Sequence, residues 1–442
     1  MNKLENYIKD VYGNKNNWFE IEIMKQSNSN RINNILNIKE YLSGKHEILN
    51  RENIIHNGKT YKATSIVLQY AKPLLTFQTS FLFKNPITLT SDDNNTLVAL
   101  QEVYKTGKYN DLDYKVAEKL NKYGEVYEYV YIDNGLIKSK LLPCEECYPI
   151  YDEETGEYIA LIQYYRVASS GIGYYTIFTD DKVVKYNDKG NILRLQGEYN
   201  NLSGLPIHYI ESFENDDTMP HSDIEDYVNI IDNMESLISK YFDSFYKFLN
   251  PIPVMTGTKL NIGKNGEGAV DKNIVGNMLQ LDDGSTFDMI LGKMDYNSLK
   301  GLHDTLMKDL LNISMTPAIS MGASDIANLA ETSIRMMYTL PIMKGTCKSK
   351  ILKEGFMQRW DKIKRLLSYM DIIVNGNVEC SFEFAIPENA QQIVADIIAL
   401  KSNGLIDVDT ALTQIPYVYD VNKTKEGLSI NQNDNNNNVA NE

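Results

Sequence analysis

Cysteine, histidine, tryptophan and positive charge are all scarce in this chain. Its 442 residues hold 4 Cys, 5 His and 2 Trp. Four cysteines cannot staple a chain of this size, which excludes a disulfide-built scaffold. Lys and Arg number 44 against 59 Asp and Glu, a formal charge of −15. A field of that sign repels phosphates, and no basic run offers the face that gripping or reading DNA requires. No run of about 18 apolar residues is present, so no membrane-spanning helix is expected. The start, Met1-Asn-Lys-Leu-Glu-Asn6, lacks the apolar core of a signal peptide. Synthesis and assembly in a cytoplasm are the resulting expectation.

Catalytic signatures are also missing. No G-x-S-x-G or H-E-x-x-H occurs. Gly263-Lys-Asn-Gly266-Glu-Gly268 lacks the strand-to-helix setting and the G-K-[ST] ending of a nucleotide loop, and reads as a β turn. Cys144-Glu-Glu-Cys147 has the spacing of half a zinc knuckle or of a redox pair. Cys347 and Cys380 are isolated, and none of His46, His56, His208, His221 and His303 lies near in sequence. The pair falls between two strand-like runs after Pro143, where an ordinary turn is the simpler reading. No metal, cofactor or catalytic residue is assigned, and the chain is expected not to be an enzyme.

Hydrophobic periodicity supplies the elements that are present. Arg31 to Leu42 reads as a helix, and Thr64 to Phe81 as a second one bent or ended by Pro73. Helices are expected over 94–106 and 111–123. From Gly124 the period changes to two. Seven strand-like runs follow, at 126–132, 136–142, 157–167, 173–179, 182–186, 192–198 and 206–211. Asp133-Asn134-Gly135, Glu154-Thr155-Gly156 and Asp188-Lys189-Gly190 supply turns between them. This is an antiparallel, tyrosine-rich meander, and with the preceding helices it makes an α+β domain.

After a polar linker, Ser222-Asp-Ile-Glu225 reads as a capping box opening a helix to about Leu249. At roughly 28 residues it would be about 40 Å long. A glycine-rich, β-like insert follows to about Gly292, then a helix from about Met294 to Ile313. A loop, Ser314 to Ser324, leads into a long helical stretch, Asp325 to Tyr369, expected to kink at Pro341. Val378 to Ile386 is an isolated strand expected to rejoin the earlier sheet. A helix from Pro387 to about Ser402, a short helix at 407–414 and an Asn-rich tail from about Asn422 complete the chain. Two long helices flanking a small insert make a poor catalytic pocket. They suit a subunit packed beside copies of itself around an axis.

In segment order and local wording the chain resembles the portal proteins of tailed phages of Gram-positive bacteria. The pieces that carry this are Asn30-Arg-Ile-Asn33, Phe77-Gln-Thr-Ser-Phe-Leu-Phe-Lys-Asn-Pro86, Ala117 to Val130, Cys147-Tyr-Pro-Ile-Tyr-Asp152, Ser222-Asp-Ile-Glu225 through Asp232 and Ser239, and Gly404-Leu-Ile-Asp-Val-Asp-Thr410 with Pro416-Tyr-Val-Tyr-Asp420. The resemblance implies a multidomain α+β portal fold with an α/β wing, a two-helix stem, a small β-containing clip, a long kinked helix and a small helical crown. Carried over by position, 1–24 is an N-terminal segment and 25–221 the wing. Stem helices fall at 222–249 and 293–313, the clip at 250–292 and a tunnel loop at 314–324. The kinked helix is 325–370, a further wing strand 371–386, the crown 387–421 and a disordered tail 422–442. One departure is that Ala323-Ser324 and Ile334-Arg335 stand where the family often has Ser-Gly before an Ala-Leu-Lys-like stretch.

By the same resemblance, the chain would form a ring, usually of twelve subunits, at one capsid vertex of the virion. The ring would be a channel for packaging and ejecting double-stranded DNA, assembled in the host cytoplasm. Ser314, Met315, Thr316, Ile319, Ser320, Met321 and Ser324 would meet DNA from the tunnel loop. Asp232, Glu235 and Asp243 would give the channel an acidic wall on which the duplex slides, since a basic wall would hold it. Lys259, Lys264, Glu267, Asp271 and Lys272 in the clip would dock the terminase large subunit, and later connector and tail proteins. Scaffold and major capsid protein would meet the wing. The other reading is a minor head or adaptor component without a channel.

Overall fold

The computed structural model describes residues 3–56, 59–213, 216–248, 252–256, 284, 286–290, 295–318, 335–387, 390–415, 418, 421 and 424–425. Helices and small antiparallel sheets alternate in an α+β architecture. Among these residues no helix is long and apolar enough to cross a membrane.

All seven expected runs form strands, but they divide between two sheets, and Cys147–Tyr151 is a further strand that was not expected. Strands β1 (Glu125–Asp133) and β2 (Leu136–Leu142) pair with Asp133 opposite Leu136. The two residues between them, Asn134 and Gly135, both have positive φ (51° and 76°), as a two-residue hairpin turn requires. A strand at Ile207–Ile210 adds to the other edge of β1, making a three-stranded sheet. Five more strands form a second antiparallel sheet in simple up-and-down order: Cys147–Tyr151, Tyr158–Arg166, Gly173–Phe178, Lys182–Asn187 and Arg194–Asn200. The first two helices, α1 (Lys3–Tyr12) and α2 (Trp18–Ile23), are not a free leader. Leu4, Tyr7, Trp18 and Phe19 are buried with Ile150, Ile162, Tyr175 and Ile177 of that sheet.

Helix α3 (Gln26–Leu42) precedes an extended stretch over 62–69. Helix α4 (Ala71–Leu82) therefore starts seven residues later than its periodicity suggests. Pro73 stands in its first turn, where the backbone N–H has no intrahelical partner to lose. The expected interruption near Pro341 falls at Tyr338: residues 335–337 are helical, and the long helix, α9 in chain order (Thr339–Tyr369), follows the break with Pro341 in its first turn. Residues 319–334, where the rest of the expected stretch lies, are outside the described residues.

The largest core forms around α9. Leu352, Phe356, Trp360, Ile363 and Leu366 pack on the three-stranded sheet and on α5 (Asn94–Gly107) and α6 (Tyr109–Tyr123). Gly355 makes this approach possible: a Cβ there would stand 2.0 Å from Tyr209 Cε1. At the centre is a fully buried ion network. Arg359 Nε donates to Glu128 Oε1 at 2.8 Å and its Nη2 to Glu128 Oε2 at 2.8 Å, while Nη1 pairs with Asp113. The strand Val378–Ser381 rejoins the fold by pairing with Thr88–Ser91, not with the meander.

Cys144 and Cys147 are both buried, and a short 3-10 turn over Cys144–Glu146 lies between the two strands. Burial pushes both thiols up, so neither is a ready thiolate. Gly263, Gly266 and Gly268 lie outside the described residues.

Candidate functional site

The arrangement singled out in the sequence centres on two amphipathic helices. Helix α7 (Val228–Phe248) packs on α8 (Tyr296–Ile313). A two-stranded antiparallel ladder connects their far ends, with Ile252 opposite Ile290 and Thr256 opposite Thr286. Ser222 and Glu225 cap the turn reciprocally: Glu225 Oε2 accepts the Ser222 N–H at 2.7 Å, and Ser222 Oγ accepts the Ile224 N–H at 3.3 Å while donating to the Lys122 carbonyl at 2.6 Å. Residues 223–227 are turn, and the regular helix starts at Val228. Asp295 caps α8 by accepting the Ser298 N–H at 3.0 Å.

The near ends of both helices share a core with α3 and α4: Ile38, Leu74 and Leu75 meet Tyr227, Ile231, Met234, Leu310 and Leu311. Ion pairs fasten α9 to the same place. Asp223 lies 2.9 Å from Lys344 Nζ and 3.1 Å from Lys348 Nζ, and Lys348 also pairs with Glu211. Although burial opposes ionisation, the two lysines hold the Asp223 carboxyl below its ordinary range.

A second contact runs the length of α7. The extended stretch before α4 lies along it, and alternate backbone N–H groups donate to side chains one helical turn apart. Thr64 N donates to Asp243 Oδ1 at 2.8 Å, Ile66 N to Ser239 Oγ at 3.0 Å and Leu68 N to Glu235 Oε1 at 2.7 Å. The match is geometric. Two residues of extended chain advance roughly 6.6 Å, and four residues of helix advance about 6.0 Å.

This strap corrects the expected acidic wall. Glu235 is 0% exposed and Asp243 9%, and both face the strap, not an open surface. Arg51 Nη2 donates to Asp243 Oδ2 at 2.9 Å. Burial opposes the Asp243 charge, but Thr64 and Arg51 outweigh it and hold the carboxyl below its usual range. Glu235 is raised instead, by burial. Asp232, half-buried, turns to the same side, and its Oδ1 accepts the Tyr41 hydroxyl at 3.1 Å. The charges that looked free in the sequence serve as acceptors within the protomer.

The loop after α8 is corrected in part. Ser314 is 0% exposed and Thr316 4%, and the Ser314 carbonyl accepts from Gln78 Nε2 at 3.2 Å. Met315 takes the left-handed conformation (φ 52°) that commonly ends a helix, and the Thr316 N–H returns to the Leu311 carbonyl at 2.9 Å. Ser314 and Thr316 therefore anchor the helix end inside the protomer, and Met315 between them is partly buried. Ile319, Ser320, Met321 and Ser324 lie outside the described residues, as do Lys259, Lys264, Glu267, Asp271 and Lys272.

Sequence reading missed the buried polar groupings, among them Arg359 with Glu128 and Asp113, Arg31 with Glu125, and His46 with Glu235. Their members are 94 to 246 residues apart in sequence, so no local spacing could reveal them. The one available signal was Glu235, Ser239 and Asp243 on a single helix stripe.

Comparison with known proteins agrees with this architecture. A family model described as "Phage portal protein, SPP1 Gp6-like" matches residues 21–437. The portal protein of Bacillus phage SPP1 is 22% identical over 399 residues, which cover 84% of this chain and 76% of that protein. A chain in the neck of an empty gene transfer agent (GTA) particle, computed with C6 symmetry, superposes with a TM-score of 0.50 at 10% identity. It covers 78% of this chain and 89% of that one. A chain in the neck of the native GTA particle, computed with C12 symmetry, gives 0.44 at 10% identity, over 78% of this chain and 89% of that one. The molecule is a structural component of a phage particle and not an enzyme. The family match runs over most of its length, and the chain belongs to the SPP1 Gp6-like family of phage portal proteins.

Proposed function

We propose that copies of this chain assemble as a ring, of twelve subunits, at one vertex of a phage head, and that double-stranded DNA is packaged and later ejected through its centre. The observation that carries the reading, beside family membership, is the helix pair. α7 and α8 leave large apolar side chains uncovered in the protomer: Phe242 is 42% exposed, Tyr296 60%, Leu302 50% and Ile313 45%. Apolar surface repeated along two adjacent helices is what neighbouring copies would cover. The neck position of the GTA chain, in a particle computed with C6 symmetry, supports the same arrangement.

Within this reading α7 and α8 are the stem, and the β ladder at their far end is the base of the clip. Lys259, Lys264, Glu267, Asp271 and Lys272 lie between its strands in sequence, where a packaging motor and then connector and tail proteins would dock. The DNA-facing loop would begin beyond Pro317, at Ile319, Ser320, Met321 and Ser324. Capsid and scaffold contacts would fall on the wing sheets.

Negative-stain electron microscopy of the purified full-length protein tests the assembly. Closed rings with a central hole are expected, with the subunit number read from class averages. Monomers alone, across protein concentration and salt, would overturn self-assembly into a channel and favour a non-channel head component.

A further inference from the structure

We infer that His46, Asp232 and Glu235 form a binding site for one divalent transition metal of the zinc type, clamping the N-terminal region to α7. The metal-binding atoms these residues offer lie within 4.8 Å of one another. One imidazole nitrogen with two carboxylates is a donor set suited to Zn²⁺, Co²⁺ or Mn²⁺, with water completing the coordination.

The orientation of each group fits ligation. His46 Nε2 lies 3.0 Å from the Tyr41 carbonyl oxygen, which can only accept, so Nε2 carries a hydrogen. A ligating histidine is commonly fixed in this way, its second nitrogen donating to a backbone carbonyl. Nδ1 then faces the carboxylates, 2.6 Å from Glu235 Oε1. The Tyr41 ring stacks on the imidazole at 3.7 Å and its hydroxyl holds Asp232 Oδ1 at 3.1 Å, so one residue orients two ligands. Leu68 N–H holds Glu235 Oε1.

One atom in this cluster lacks a partner. Glu235 is fully buried, and its Oε2 accepts no hydrogen bond among the described residues. A buried carboxylate oxygen without a partner is costly, and a cation satisfies it. His46 Nδ1 and Glu235 Oε1 share a hydrogen bond that ligation must replace, so the metal would release its hydrogen to solvent. Ligand atoms about 2.0–2.2 Å from a tetrahedral metal are roughly 3.3 Å apart, so Nδ1 and Oε1 must open and Asp232 must close, both by side-chain rotation. Asp232 is only half-buried and gives the ion its way in.

The site joins segments that sequence separates. His46 and Tyr41 come from the end of α3 and the turn after it, and Asp232 and Glu235 from successive turns of α7. Metal binding would fix α7 against the strap.

Full-length protein, stripped with EDTA and dialysed, is titrated with Co²⁺ and then Zn²⁺. One Co²⁺ per subunit is expected, with visible absorption bands lost on Zn²⁺ addition and a raised thermal midpoint with either metal. Asp232→Asn, the mildest ligand change, should weaken binding at least tenfold and abolish the thermal shift. His46→Gln should do the same. Tyr41→Phe, which removes only the outer hydrogen bond, should weaken binding tenfold to a hundredfold. Wild-type protein that binds no Co²⁺, or binds it as tightly as folded Asp232→Asn does, overturns the site.

Discussion

Arg359 Nη2 donates to Glu128 Oε2 at 2.8 Å across 231 residues of sequence, with both side chains fully buried. Tyr209 Oη donates to the same oxygen at 2.6 Å, and the guanidinium lies 4.5 Å from the Phe356 ring. The long helix is thus tied to the central strand of the three-stranded sheet by charge as well as by apolar packing. Removing one member of a buried pair leaves the other uncompensated. Glu128→Gln should therefore destabilise the protein by about 3 kcal/mol or more, read as a lower urea midpoint. An unchanged midpoint would show that Asp113 alone suffices for Arg359.

Asp113 gives this network a pH signature. Burial pushes its carboxyl up to about 6, with Arg359 opposing and Glu128 reinforcing the shift. An unfolded Asp titrates near about 3.9, so between these limits the folded state holds an extra proton. The stabilising contribution is complete below about pH 4 and lost as pH rises through about 6. Asp113→Asn stays neutral throughout. Thermal midpoints of wild type minus variant should fall from pH 4 to pH 7, and a pH-independent difference would refute the assignment.

Gly355→Ala places a Cβ on the Tyr209 ring. Alanine gains about 1 kcal/mol in helix propensity, but overpacking costs roughly 1–3 kcal/mol or more at so short an approach. A net loss of thermal stability is expected. A gain would mean that α9 can shift off the sheet at little cost.

The strap makes a local prediction. Ser239→Ala removes the acceptor for Ile66 N–H, a bond worth about 1 kcal/mol. Hydrogen exchange in a peptide covering 62–70 should quicken by roughly fivefold, the ratio that energy implies, while peptides from the meander exchange as before. Equal protection in both proteins would show that the strap is held by its other contacts.

Pro341→Ala should change the thermal midpoint little, within about 1 kcal/mol. A first-turn proline forfeits no helical hydrogen bond, whereas one in a helix interior costs about 3 kcal/mol. A large stabilisation by Ala would show that the proline interrupts a helix otherwise continuous with residues 335–337.

Much of this fold is legible in short windows. Asn134-Gly135 dictates a hairpin because both residues tolerate positive φ, and the strand-like runs on either side become its two arms. The period of α7 likewise marks Ile231 and Met234 as core. What those windows leave open is the fate of polar residues. A glutamate at Glu235 and a solvent-facing one read alike, although one is fully buried in the fold.

The sequence by itself determined the α+β class, the seven strand-forming runs between 125 and 211, and the helix pair flanking a β-like insert. These follow from side-chain period and turn chemistry, which act over a few residues. Tertiary structure alone decided that Asp243, Ser239 and Glu235 take the N–H groups of Thr64, Ile66 and Leu68, and that His46 meets Glu235. A buried donor or acceptor must find a partner once water is withdrawn. Which partner is within reach depends on how distant elements pack, and no local pattern carries that information.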